Sequence, residues 1–168
     1  FHWNGAPGDR DELIAASQKP TDGRIVTVQQ AMRAGASVEQ MFDATKIDPW
    51  FLDQIALINE IAGAVAASPM SAEAIRWAKS HGFSDIQLAE IWGLSEEEVR
   101  EFRLSEGIRP VFKTVDTCAG EFPALTPYHY SSYDVETEVV PSDRRKVVII
   151  GSGPNRIGQG IEFDYSCV

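Results

Sequence analysis

Phe83-Ser-Asp-Ile-Gln-Leu-Ala-Glu-Ile-Trp-Gly-Leu-Ser-Glu-Glu-Glu-Val-Arg-Glu-Phe-Arg103 decides the structural class of this chain. Within it, Ser84-Asp-Ile-Gln87 and Ser95-Glu-Glu-Glu98 both have the form of a capping box. In such a box a hydroxyl accepts an orphan backbone N–H, and the acid or amide three residues on reaches back. Gly93 stands between the two boxes, where a left-handed C-cap ends one helix before the next begins. The stretch is a pair of short helices joined by a glycine turn. Working outward, Ser37-Val-Glu-Gln40 repeats the box, and Asp48-Pro49 sets an N-cap carboxylate before a proline at the first helical position, where its missing N–H costs nothing. Gly35, Gly82 and Gly107 each fall just past an apolar-periodic run. This punctuation predicts helices over 24–34, 37–45, 49–67, 71–81, 84–92 and 95–106, with a further short one near 9–18.

In the longest helix Phe51, Ile55, Ile58, Ala62 and Val65 form a stripe at 3.6-residue spacing, and Trp50, Leu57 and Ile61 add apolar surface around it. That is wider than the ~100° needed to face one core. It fits a central helix buried on several sides, or a helix with part of its surface packed against another subunit or domain. Asp53 and Glu60 interrupt it and keep one side wet. From Pro110 to Asp143 the helical period disappears, and prolines at 110, 123, 127 and 141 mark an extended connector with strand pieces over 111–115 and 128–133. Lys146-Val-Val-Ile-Ile150 is a β-branched run against a Gly-rich loop, the pattern of a buried parallel strand. Such a strand needs a crossover and a second strand, at least about a dozen more residues. The chain is therefore expected to be a piece of a longer protein that stops just inside its next domain. The expected fold is mainly α: an all-helical bundle, an extended connector, and the truncated β-α start of an α/β domain.

The chain has 168 residues, 43% hydrophobic and 24% charged, which suits a soluble domain with some extra length. With 15 Lys and Arg against 25 Asp and Glu, the net charge of −10 opposes a duplex nucleic acid partner. The opening stretch does resemble a helix-turn-helix. Yet from Ser84 to Glu106 seven acids face two bases and crowd the start of the second helix, where phosphate contacts would be repelled. A structural hairpin is the better reading. No apolar run approaches the ~20 residues of a membrane helix. Cys118 and Cys167 lie far apart without CxxC spacing, and His2, His81 and His129 are scattered, so neither a disulfide framework nor a metal site is indicated. The expected location is cytoplasmic. Cys118 as a nucleophile would need a base, and His129 is the only nearby histidine in sequence; a small buried residue is the simpler reading.

The loop Gly151–Gly160 follows the expected strand, so its bare N–H groups can face an anion. Arg156 stands where a dinucleotide fingerprint has its third glycine, and Gln159 stands where a P-loop has lysine. Anion binding and a tight βα turn remain equal readings. On the first Arg156 is the cationic donor; on the second it pairs with Glu162 or Asp164.

Val115-Asp-Thr-Cys-Ala-Gly-Glu-Phe122, Tyr130-Ser-Ser-Tyr133 and Gly151-Ser-Gly-Pro-Asn-Arg-Ile-Gly-Gln-Gly-Ile-Glu-Phe-Asp-Tyr165 resemble the middle of the carbamoyl phosphate synthetase large subunit. Ala31-Met-Arg-Ala-Gly35 and Ile47-Asp-Pro-Trp-Phe51 resemble its central helical domain more loosely. The resemblance implies an oligomerisation domain over 24–110, a connector over 111–145, and over 146–168 the first strand and loop of the pre-ATP-grasp domain of the carbamoyl-phosphate-forming half. Residues 1–23 stay an unassigned N-terminal segment holding the short helix. The family's large subunit has two ATP-grasp halves around that helical domain, and makes carbamoyl phosphate from bicarbonate, glutamine-derived ammonia and two ATP, for pyrimidine and arginine biosynthesis. The implied cofactors of the parent are ATP, Mg2+ or Mn2+, and K+. Its implied partners are the rest of the large subunit, the glutaminase small subunit, and further copies through the helical domain, with no nucleic acid and no membrane. The chain alone is expected to bind no cofactor and to catalyse nothing. A passage carries carbamate between the family's halves beside the loop matching 151–165. By that resemblance Gly160 leaves the bore open, Glu162 lines it, and Asn155 and Arg156 orient the anion; a turn glycine and a Glu162–Arg156 pair explain the same residues equally well. The rival reading is a nucleotide- or anion-binding α/β piece using Gly151–Gly160.

Overall fold

The computed structural model describes residues 1–123 and 128–148. Its helices are α1 (Arg10–Ser17), α2 (Arg24–Arg33), α3 (Val38–Thr45), α4 (Pro49–Ala66), α5 (Ala72–Ser80), α6 (Asp85–Trp92) and α7 (Glu96–Ser105). All three capping boxes form. Ser37, Ser84 and Ser95 accept the N–H three residues on, and the Gln40, Gln87 and Glu98 side chains accept the serine N–H at 2.9, 2.9 and 2.8 Å. Asp48 caps α4 through Trp50 N–H, with Pro49 in its first turn. Gly93, with φ of 68°, supplies the left-handed residue that lets α6 turn into α7. Three caps escaped the sequence reading, the first being Ser71, whose hydroxyl accepts the Ala74 N–H at the start of α5. Asp9 caps α1, and Lys46 adopts φ of 58° to end α3 without a glycine.

Helix α4 runs through two buried clusters. Leu52 and Ile55 pack with Val28, Ala31, Ala36 and Met41. One to two turns later Ile61, Ala62 and Val65 pack with Ile75, Phe83, Leu88, Val99 and their neighbours. The expected stripe needs correcting at its start. Leu52 is fully buried, whereas Phe51, Trp50 and Leu57 are 58, 60 and 42% exposed. Residues 50 and 51 precede the turn on which α2 and α3 close, so their rings stack edge-to-face on each other, 5.0 Å apart, rather than on the core. Polar links fix the packing angles. Gln29, buried on α2, donates to Asn59 on α4 at 2.7 Å, and the indole N–H of Trp92 reaches the carbonyls at the end of α4, Val65 and Ser68, at 3.0 Å.

Residues 1–23 pack into this unit. Phe1, Leu13 and Ile14 lie on one cluster, Trp3 lies on the other, and the Trp3 ring is 5.2 Å from that of Phe83. After α7 the connector forms two short strands, β1 (Val111–Thr114) and β2 (His129–Ser132), paired antiparallel with Val111 opposite Ser132 and Thr114 opposite His129. The strand expected over Lys146–Ile150 is not formed in its described part. Lys146–Val148 have no pairing partner among the described residues, and Val147 and Val148 are exposed. A strand run of this kind is stable only against a neighbour, and none pairs with it among the described residues. The rest of that run lies outside them.

Candidate functional site

The outer strip of α4 is the first candidate surface. Trp50, Leu57 and Ala64 recur every seven residues on its solvent side, so they lie in line along the helix. Phe51 extends the patch at its start, and exposed Asp53 and Glu60 border it. An apolar strip with an acidic border is the composition of a contact surface.

The second candidate is a buried charge node. Asp85 begins α6 only 7% exposed, and Arg103 from α7 grips it with Nε at 3.0 Å from Oδ1 and Nη2 at 2.8 Å from Oδ2. Lys79, from the last turn of α5, donates to Oδ1 at 2.9 Å, and Arg103 Nη1 donates to the Ile108 carbonyl at 2.8 Å. The Tyr133 ring covers both cations, 4.8 Å from Lys79 Nζ and 5.8 Å from Arg103 Cζ. Burial opposes ionisation of Asp85, but hydrogen bonds from Arg103 and Lys79, with their charges, outweigh it and hold its carboxyl below the ordinary value. Burial pushes the Tyr133 phenol up, and the Asp85 bond raises Arg103. One carboxylate thus joins three helices to the segment after β2. Sequence reasoning counted Asp85 only as one of the seven acids between Ser84 and Glu106. The available signal was Arg103, which falls one turn after Val99 on the apolar face of α7.

A groove of about 530 Å³ opens beside the node, lined by Arg76, Trp77, Arg109, Tyr133 and Asp134 among others. The remaining sequence candidates are not drawn together. Cys118 is half-buried in a turn where its N–H donates to Asp116. His129 bonds Thr114 on the neighbouring strand instead. Among the described residues no group of His, Cys, Asp and Glu is placed to hold a metal ion, and no helix is long and apolar enough to cross a membrane. Asn155, Arg156, Gly160 and Glu162, with the whole Gly151–Gly160 loop, lie outside the described residues.

Residues 1–107 match the family described as the carbamoyl-phosphate synthetase large chain, oligomerisation domain. The chain belongs to that family. Residues 143–168 match the carbamoyl phosphate synthase preATP-grasp domain. The chain is 73% identical over its full length to the carbamoyl phosphate synthase large chain of Clavibacter michiganensis subsp. michiganensis, and 62% identical to that of Streptomyces coelicolor. The large chain of Kocuria rhizophila is 58% identical over 96% of the chain. In each case the chain spans about 15% of the relative's length. The oligomerisation-domain match begins at residue 1, in agreement with the packing of Phe1, Trp3 and α1 onto the later helices.

Proposed function

We propose that the chain is the association and linking segment of a carbamoyl phosphate synthetase large chain. The observation that carries this reading is the junction itself: a helical oligomerisation domain and the beginning of a preATP-grasp domain lie on one chain, with an extended connector between them. On this reading the helical domain runs to about residue 110 and the connector to about residue 145. The buried node supports the linking role, because it pins Tyr133 of the connector to the helices rather than leaving a free tether. The parent, on this reading, is a cytoplasmic ligase that uses bicarbonate, two ATP, divalent metal and K+, with ammonia from a glutaminase subunit. This segment supplies scaffold and no reacting group. The outer strip of α4 is then covered in the assembled enzyme. Leu57→Glu is expected to change the stability of the isolated chain by no more than about 0.5 kcal/mol, as for other surface substitutions. In the full large chain the same change should lower the thermal midpoint or weaken assembly. Equal indifference of both would count against the reading.

The proposed passage role of Asn155, Arg156, Gly160 and Glu162 rests on the family resemblance. Carbamate decomposes in bulk water, so a walled route protects it, and Gly160 leaves that route without a side chain. In the full enzyme Gly160→Phe should stop carbamoyl phosphate formation while bicarbonate-dependent ATP hydrolysis continues. Unchanged rates for both would refute the role. Saturable binding of ATP and magnesium to this chain would instead favour the nucleotide-binding alternative built on the Gly151–Gly160 loop.

A further inference from the structure

The groove beside α5 is cationic in a chain whose net charge is −10. Arg76 and Arg109 stand at it, both exposed. The Arg109 side chain is engaged by no other described residue, and the one hydrogen bond of the Arg76 side chain goes to the Glu106 carbonyl at 3.1 Å. Tyr133, on the groove wall, covers the node, in which two buried cations share the single carboxylate of Asp85 and Arg100 approaches it to 3.8 Å. Asp134 on the same lining offsets one of these charges and lies 4.0 Å from Lys113, so the groove keeps a smaller excess of positive charge beside the exposed ring of Trp77.

The complementary surface is on the same chain. Glu97 and Glu101 lie one turn apart on the side of α7 opposite Val99 and Arg103, both exposed, and no described residue pairs with either. Their spacing sets the two Cβ atoms about 6 Å apart on one face, so both carboxylates can meet a pair of guanidinium groups. Leu94, just before the helix, is exposed like Trp77, 37% against 40%.

We propose that this groove receives the acidic face of α7 from a second copy of the chain, with Arg76 and Arg109 facing Glu97 and Glu101, and Trp77 meeting Leu94. The proposal rests on the association reading above and adds a second surface to the strip on α4. Each copy carries both halves of the contact, so a pair about a two-fold axis can make it twice. Exposed ion pairs are individually weak; here the doubled contact and the apolar pair act together, and association should weaken as salt rises from about 0.05 to about 0.5 M.

The test uses sedimentation of the full 168-residue chain at low salt. Arg76→Glu with Arg109→Glu should weaken self-association about tenfold or more, and so should Glu97→Arg with Glu101→Arg. An equimolar mixture of the two variants should associate again, because each groove then meets an opposite charge. Wild-type association that both variants retain would overturn this interface and leave the association reading standing. Two impaired variants that fail to recover on mixing would also overturn it. A wild-type chain that stays monomeric would overturn both.

Discussion

Asp85→Ala is expected to destabilise the helical unit by about 3–5 kcal/mol, the cost of leaving buried cations without their counter-charge. Lys79 and Arg103 are both about nine-tenths buried and both donate to this one carboxylate. Typical domains hold only 5–15 kcal/mol in all, so urea titration followed by circular dichroism should show a midpoint far below wild type, or no folded baseline. The same carboxylate sets an acid dependence. Folding lowers its pKa, so below the ordinary value of 3.8 the unfolded chain binds a proton that the native chain does not. The contribution of Asp85 is whole above that pH and is lost as pH falls through the depressed native value. Asp85→Asn should remove this share of the acid unfolding while lowering stability at neutral pH. An alanine variant within about 1 kcal/mol of wild type would show that the node is dispensable.

The second large effect belongs to Leu52→Ala. Leu52 has no exposed surface and sits where α2, α3 and α4 converge. Truncating such a side chain costs about 2–5 kcal/mol, the lost transfer energy plus the cavity left behind. Its position on α4 adds a qualitative expectation. Because α4 also supplies Ile61, Ala62 and Val65 to the other cluster, loss of the first cluster unravels the helix on which the second is built. Unfolding should stay a single transition, with tryptophan fluorescence and far-ultraviolet circular dichroism coincident. A biphasic curve, with residues around Trp92 melting last, would mean that the two clusters are separate units.

Local chemistry explains why so much of the helical part was legible. Ser37, Ser84, Ser95 and Asp48 act within three residues of themselves, and Gly93 acts at its own φ, so no tertiary information was needed to place those helix ends. What failed was tertiary. Phe51 and Leu52 are adjacent, equally apolar and near the start of a helix, and only the approach of α2 and α3 selects Leu52 for the core. Asp85 looked like one more acid because its partners lie on two other helices, 6 and 18 residues away. The pairing of β1 with β2 was invisible for a similar reason, since the strand positions read to within a residue at each end while their register depends on the path between them. The passage residues Asn155, Arg156, Gly160 and Glu162 were legible only through family resemblance, because nothing in a glycine-rich loop distinguishes a channel wall from a turn.

The central claim is that these residues bring copies of a larger enzyme together, and sedimentation velocity on the 168-residue chain tests it most directly. With loading raised from low to high micromolar, the weight-average sedimentation coefficient should climb from the monomer value toward that of a dimer or larger species. A coefficient that stays at the monomer value over the whole range would contradict it.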